Sequence, residues 1–519
     1  MRQWSEGYNA DIAYTNSFYR DLAPDYLSYV GLLSGVRTPD PGRPFRYCEL
    51  GCGQGLTLTI LAATHALSEF VGIDFNPAHI AAARRMADEA GLGNLSFRED
   101  SFQALARSLA EGRWTEEPFD FVVLHGVYSW VSEENRRAIV DVLDKLVKPG
   151  GLVYISHNTL AGWSPILPLQ ALMLEHAAAF PGRSDRQIGD MLVFLNRLKD
   201  AGAAYFQNNP VAAQHLAMMA SQERRYLAHE YINDHWEPLP HARVARDLAR
   251  AKLGYVGTAT IPLNSDDLAF RPEIRAILAE ITDPMLAQSV RELALNQPFR
   301  RDIYVRGPEP LETRAVLDEM AERRFTLIVP REEASLTFTI PMGELRSDPA
   351  VGEPILDALA AGTPTFAELL ALPALAGQSP LAVSKILALL VAAHQAHPVT
   401  NQGEDSREGA AALNRALARR VLGQDEQRVL VAPAIGTAVV TDIPDRLAHA
   451  GLMAGLPADL EALARFAVDA LRANGRQVFA EDGAPLATVE EMQARLHGIL
   501  SGGLPRRLPL WRRLGAVQG

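Results

Sequence analysis

The chain has 519 residues, 48% of them apolar, with 62 acidic against 50 basic side chains and a formal charge of −12. Length and apolar content exclude a disordered chain and predict about three or four packed domains. The negative balance argues against a polyphosphate partner, so nucleic acid is not the expected substrate.

Residues 1–44 carry Tyr8, Tyr14, Tyr19, Tyr26 and Tyr29. Asp25 to Leu33 predicts an amphipathic helix, closed by the turn cluster Thr38-Pro39-Asp40-Pro41-Gly42. Strand and helix patterns then alternate through residue 160. Phe45 to Cys48 reads as a strand and Leu56 to Ala63 as a helix. Phe70 to Asp74 is a second strand. Asn76 caps the next helix, Pro77 occupies its first turn, and Gly91 stops it. Leu95 to Arg98 and Phe121 to Leu124 are the third and fourth strands. A helix from Ser132 to Leu146 leads to Pro149-Gly150-Gly151 and a fifth strand, Leu152 to Ser156. This alternation predicts a parallel, doubly wound sheet.

Residues 161–308 read mostly helical. Phe325 to Val329 and Ser335 to Ile340 are strand candidates, and residues 351–398 suggest three helices in a winged-helix-like pattern. The third of these, Leu381 to His397, carries Lys385 as its only fixed cation, too few for a DNA-reading helix. Asn401 to Asp405 reads as a loop or linker, followed by a helical remainder with short strands near Val429 and Thr437. The tail, with Arg506, Arg507, Arg512 and Arg513 around Leu510-Trp511, reads as a solvated, frayed terminus. The expected division is 1–160, 161–310, 311–400 and 401–519. No apolar run has membrane-spanning length, and Met1 to Glu6 lacks a signal pattern, so a cytoplasmic protein without membrane insertion is expected.

Chemistry concentrates at the strand ends. Glu49-Leu50-Gly51-Cys52-Gly53-Gln54-Gly55 joins the first strand to its helix. A dinucleotide corner wants Gly-x-Gly-x-x-Gly. Here the third glycine comes one residue early, behind an acidic residue, which suits a ligand whose cationic sulfonium passes over bare backbone. Glu49 is placed to order the turn and approach an ammonium. Asp74 ends the second strand, where a carboxylate accepts both ribose hydroxyls. Asp100 and Ser101 follow the third, with Asp100 facing an adenine amine and Ser101 competing for the helix cap. After the fourth comes His125-Gly126-Val127-Tyr128-Ser129-Trp130, in place of the Asn/Asp-Pro-Pro-aromatic run of nucleobase and glutamine methylating enzymes. His125 is read as lining the cofactor pocket. Tyr128, Trp130, Tyr14 and Tyr19 are candidate walls of an acceptor channel, with core packing as the alternative for Tyr128 and Trp130, and Asn158 is read as a group orienting an amine. The N-terminal tyrosines suggest a lid.

These four elements in order resemble class I S-adenosylmethionine-dependent methyltransferases. The candidate cofactor set is Glu49, Gly51, Cys52, Gly53, Gly55, Asp74, Phe75, Asp100, Ser101, His125 and Tyr19. The candidate catalytic set is Tyr128, Trp130, Asn158 and Tyr14. Cys48 and Cys52 are read as buried and reduced. No metal site is expected, because His229 and His235 stand six apart and miss the His-Glu-x-x-His spacing. They are read as a structural cluster or as lining of the substrate cavity.

With Val71 to Pro77, Tyr226 to Tyr231 through Pro238, Asn296 to Asp302 and Val305-Arg306-Gly307, the chain resembles methyltransferases joined to a methyltransferase regulatory domain. The characterised relatives are rickettsial lysine methyltransferases of outer-membrane proteins. The resemblance implies an α/β fold with a doubly wound, seven-stranded Rossmann-like domain, followed by mostly helical middle and C-terminal domains. It also implies S-adenosylmethionine as cofactor, contacts at Gly51, Gly53, Asp74 and Asp100, a homodimer and a protein substrate. His157-Asn158 and Ala161 depart from the Tyr-Asn and Pro expected before Gly162-Trp163. Methyl transfer to protein lysine is the leading expectation. Two rivals stand beside it: a small-molecule O- or N-methyltransferase using His125 or His157 as base, and a non-catalytic cofactor-binding protein.

Overall fold

The computed structural model describes residues 16–423 and 427–517. After helix α1 (Pro24–Leu33), strands and helices alternate: β1 (Arg46–Leu50), α2 (Leu56–Thr64), β2 (Glu69–Asp74), α3 (Pro77–Ala90), β3 (Leu95–Glu99), α4 (Phe102–Ala110), β4 (Phe119–Leu124), α5 (Glu133–Leu146) and β5 (Val147–Asn158). Two later segments, β6 (Leu253–Thr258) and β7 (Phe299–Arg306), complete a seven-stranded sheet in the order β3-β2-β1-β4-β5-β7-β6.

The central strands are apolar on both faces because both faces are covered. Successive side chains alternate. Tyr47, Phe121, Leu152 and Tyr154 pack with α1 and α2 on one side. Cys48, Val122, Val153 and Ile155 pack with α4 and α5 on the other. Both cysteines are buried and free. The helix ends follow the local signals. Asn76 accepts from Ala78 N, Ser132 accepts from Asn135 N, and Gly91 ends α3 at φ 65°.

The sheet is not wholly parallel. β1 to β5 run parallel, but β7 lies antiparallel to both β5 and β6. It crosses the expected boundary at residue 160, since β6 and β7 come from the segment read as helical. Between β5 and β6 lies a helical layer that includes Leu167–Ala179, Ser184–Asp200, Pro210–Met219 and Arg224–Tyr231. Its core is built from Leu169, Met173, Ile188, Met191, Leu195, Leu216 and Leu227.

Helices Pro349–Ala361, Phe366–Leu370 and Pro380–Ala392 occupy the region read as winged-helix-like. The third stops before His397, because Ala396–Pro398 pairs with Phe325–Leu327. Lys385 on that helix is tied to Asp267. The Asn401 to Asp405 loop is not a free linker. Beside its start, Gln402 is buried and donates to Pro41 O at 3.1 Å. Helix Arg407–Leu422 then packs Ala410, Leu413 and Leu417 against Leu56 and Ile60 of α2 and Met86 of α3.

The tail also corrects its expectation. It forms one helix, Val489–Arg513, with Pro505 and Pro509 inside it. Trp511 is buried, Arg507 pairs with Asp445, and Arg513 donates to Leu327 O at 3.3 Å. No described helix is long and apolar enough to cross a membrane.

Candidate active site

The carboxyl ends of β1 to β5 open into one cavity of about 500 Å3. Its floor is the glycine turn after β1. Gly51 N and Cys52 N donate to Ile73 O at 2.7 and 3.1 Å, which fastens the turn to β2. Gly51 sits at φ 77°, where side chains are disfavoured, and a Cβ there would meet Val127 Cγ2 at 2.5 Å. Gly55 must be bare for the same two reasons: its φ is 73°, and its Cβ would meet the Phe97 ring at 2.6 Å. At Gly53 a Cβ would meet nothing within 4 Å, so this glycine borders open space.

It is Asp74, not Glu49, that hydrogen-bonds the glycine turn. Its Oδ2 accepts from Gly53 N at 2.9 Å and its Oδ1 from Asn76 N at 2.9 Å. Glu49 Oε2 is buried with no hydrogen-bond partner among the described residues. Burial, and then the Asp74 charge, push its carboxyl up to about 8. After β3, Ser101 caps α4 by accepting from Ala104 N at 3.2 Å. Asp100 is thereby left to the cavity, with its carboxyl raised by burial. Cys52, Phe75 and Phe102 complete this end.

His125 follows β4. Its Nδ1 lies 2.9 Å from Tyr154 Oη, and its ring lies against Tyr19 with centroids 3.9 Å apart and planes tilted by 36°. Burial, with the Arg301 charge behind it, pushes this imidazole down to about 3. It is neutral near pH 7, a wall and not a base. Trp130 also lines the cavity. Tyr128 does not: it is fully buried in the α5 side of the core, with its hydroxyl 3.4 Å from Asp247. The expectation of a channel role for Tyr128 is therefore corrected. Tyr14 lies outside the described residues.

At the end of β5, Asn158 reaches the cavity. Its backbone is pinned on both sides, N donating to Ser129 Oγ at 2.9 Å and O accepting from Leu239 N at 2.8 Å. His157, one residue earlier, points to the opposite face. Its Nε2 lies 3.8 Å from Asp302 Oδ2, fully buried, among His241 and Arg300. Alternation along the strand thus removes His157 from any acceptor. The Arg224–Tyr231 helix closes the far wall with Tyr226, His229 and Glu230. His235 lies beyond that helix and is exposed. Of the pair His229 and His235, only His229 lines the cavity.

Trp163, Pro298 and Phe299 line the same end. Several lining residues, His79 and Asn135 among them, carried no role in the sequence reading, and Glu230 stood only inside the motif Tyr226 to Tyr231. Glu230 had a legible signal, a carboxylate inside the aromatic run Tyr226 to Tyr231.

No Lys or Arg lines the cavity among the described residues, whereas Glu49, Asp74, Asp100 and Glu230 do. This donor set fits a ligand that carries a sulfonium and an ammonium. The unpartnered Glu49 Oε2 and the open space at Gly53 are consistent with it.

Known proteins agree with this assignment. A family model described as a methyltransferase domain matches residues 43–185, and one described as a predicted methyltransferase regulatory domain matches residues 223–306. An uncharacterized protein of Synechocystis is 33% identical over 515 residues, covering 99% of both chains. An uncharacterized protein of Rickettsia prowazekii is 28% identical over 226 residues, covering 43% of this chain and 86% of its own. Among solved structures, PKMT2 from Rickettsia typhi superposes with a TM-score of 0.66 at 17% identity, covering 97% of this chain and 99% of its own. The same protein in complex with AdoHcy gives 0.66 at 16% identity, with the same coverage. The chain belongs to the class I S-adenosylmethionine-dependent methyltransferases that carry a methyltransferase regulatory domain.

Proposed function

We propose that this enzyme methylates side-chain amines of lysine in a protein substrate, an outer-membrane or other surface protein, and that it works as a homodimer. The carrying observation is the cavity's charge: carboxylates at both ends and no lining Lys or Arg among the described residues. Such a cavity favours a cationic acceptor over an anionic one. The chain's net charge of −12 draws basic segments in the same direction.

When bound, the cofactor supplies an electrophilic methyl group on a cationic sulfur. Gly51, Gly53, Asp74 and Asp100 are the residues to hold it, with Glu49 meeting its ammonium. The chain's remaining work is positioning and exclusion of water. Tyr19, Trp130, Trp163, Tyr226 and Phe299 wall the path. Their apolar surfaces strip water from an entering ammonium and so lower a pKa that is about 10.4 in water.

The small-molecule rival relied on His125 or His157 as its base, and neither suits that role. His125 is held neutral with its pKa pushed down to about 3, and His157 faces away from the cavity. The fold is shared over the full length with PKMT2. Exposed Phe180, Val193, Phe194, Val211 and Met218 on the helical layer suit a dimer face.

The test is incubation with radiolabelled S-adenosylmethionine and outer-membrane or basic protein extracts, followed by amino-acid hydrolysis of labelled bands. Labelled methyl-lysine is expected. Label confined to small molecules, with none in any protein band, would sink the reading.

A further inference from the structure

Glu230 is the one carboxylate of the cavity that the cofactor's expected holders leave unassigned. The sheet order puts Asp74 on β2 and Asn158 on β5, three strand steps apart. At the usual strand spacing that separation is about 14 Å. Glu49, Asp74 and Asp100 lie on β1 or β2 or just after β3, and Glu230 lines the cavity with Asn158 at the β5 end. Its neighbours in the lining are Trp163, Tyr226 and His229. Among the described residues it forms no ion pair, whereas the fully buried Asp302 is paired with Arg300.

We propose that Glu230 is the acceptor-side carboxylate: it receives the entering ammonium as counter-ion and takes one proton from it, with the Asn158 amide orienting the amine. The proposal rests on the amine-acceptor reading above and names the residue that serves it. In the proton step one N–H bond of the ammonium breaks and one O–H bond forms on Glu230. The nitrogen keeps the electron pair and becomes a neutral amine. The proton leaves for solvent when the product departs.

The electrostatics support this role. Burial pushes the Glu230 carboxyl up to about 7, opposed only by the neighbouring Asn158 side chain, whose buried Nδ2 has no hydrogen-bond partner among the described residues. A carboxyl poised there is ionised often enough to attract a cation and basic enough to accept a proton. On its own helix, Tyr226 and Tyr231 face its charge, and both hydroxyls are raised, chiefly by burial and then by Glu230. From the chain before α1, Tyr19 adds to the shift of Tyr226. From β5 only the neutral Asn158 faces it. No charged group on the helices packed behind it contributes to its shift.

The role is tested with n-butylamine as a probe of the lysine side chain. Its binding to the full chain with S-adenosylhomocysteine is followed by ligand-observed NMR from pH 6 to pH 8. The amine stays protonated over that range, so a change in affinity reports the protein. Binding should tighten several-fold through about pH 7 and should weaken at least tenfold in Glu230→Gln. Glu230→Asp should restore part of it. Unchanged S-adenosylhomocysteine affinity in Glu230→Gln shows that the variant is folded. If that variant does not fold, the wild-type pH dependence decides: flat binding, or none, overturns the proposal. Equal butylamine binding by wild type and a folded Glu230→Gln also overturns it. Glu230-dependent binding with no labelled protein lysine would instead overturn the protein-lysine reading and leave this one standing.

Discussion

The Glu49→Gln variant tests the electrostatics of the glycine corner. Glu49 is buried at 6% exposure, with Oε2 unpartnered among the described residues and its pKa raised from 4.5 to about 8. The folded carboxyl holds its proton to higher pH than the unfolded one. Its burial therefore costs nothing below about pH 4.5 and progressively more up to about pH 8. At 1.36 kcal/mol per pH unit, the cost is about 3 kcal/mol at pH 7 and about 5 kcal/mol above pH 8. An uncharged Gln of similar shape removes it. Free Glu49→Gln should thus melt higher than wild type at pH 8, with the difference shrinking toward pH 5.

Cofactor binding should show the reverse dependence. At pH 7 the free enzyme holds the Glu49 proton in roughly nine-tenths of molecules. An arriving ammonium lowers the pKa and expels that proton. Nearly one proton should be released per cofactor bound if the bound pKa falls below about 6, and affinity should tighten by up to tenfold per pH unit until about pH 8. Calorimetry of S-adenosylmethionine binding in buffers of different ionisation enthalpy counts the protons. The free ligand's amine titrates equally in both experiments, so the difference between wild type and Glu49→Gln reports the pair that Glu49 forms with the ammonium. Equal proton release by the two proteins would refute the reasoning.

At Gly51, an alanine meets both a left-handed backbone and Val127 Cγ2 at 2.5 Å. The backbone alone costs about 1–2 kcal/mol. Gly51→Ala should weaken cofactor affinity by roughly ten- to hundredfold with the circular dichroism spectrum unchanged, and wild-type affinity would refute the close-approach reading. His157→Ala should lower Tm, because it empties a place beside the Asp302 network. The pH profile of methyl incorporation should keep its shape. A collapsed rate at unchanged Tm would instead restore His157 as a base.

Legibility followed how local each constraint is. Strands β1, β2, β4 and β5 were readable because burial on both faces demands continuous apolar runs, such as Phe121-Val122-Val123-Leu124. β7 was not, because it carries Arg300, Arg301, Asp302 and Arg306. Those charges are tolerable only where His241, Arg300 and Asp302 satisfy one another inside the fold. The tail misled for a similar reason. Pro505, Pro509 and four arginines look like a frayed end until Arg507 finds Asp445 and Trp511 finds the C-terminal core.

By itself, the sequence determined the methyl donor. The residues proposed to hold it, Glu49, Gly51, Gly53, Asp74 and Asp100, sit at strand ends, where short-range turn geometry and capping decide backbone shape. The acceptor side was decided only by tertiary structure. Tyr128 and Trp130 are two residues apart, yet one enters the core and the other the cavity. His157 and Asn158 are adjacent, yet the pleat sends them to opposite faces. Glu230 reaches the same space from a helix more than seventy residues farther along. Which side chains share a cavity depends on how distant elements pack, and no local pattern records that.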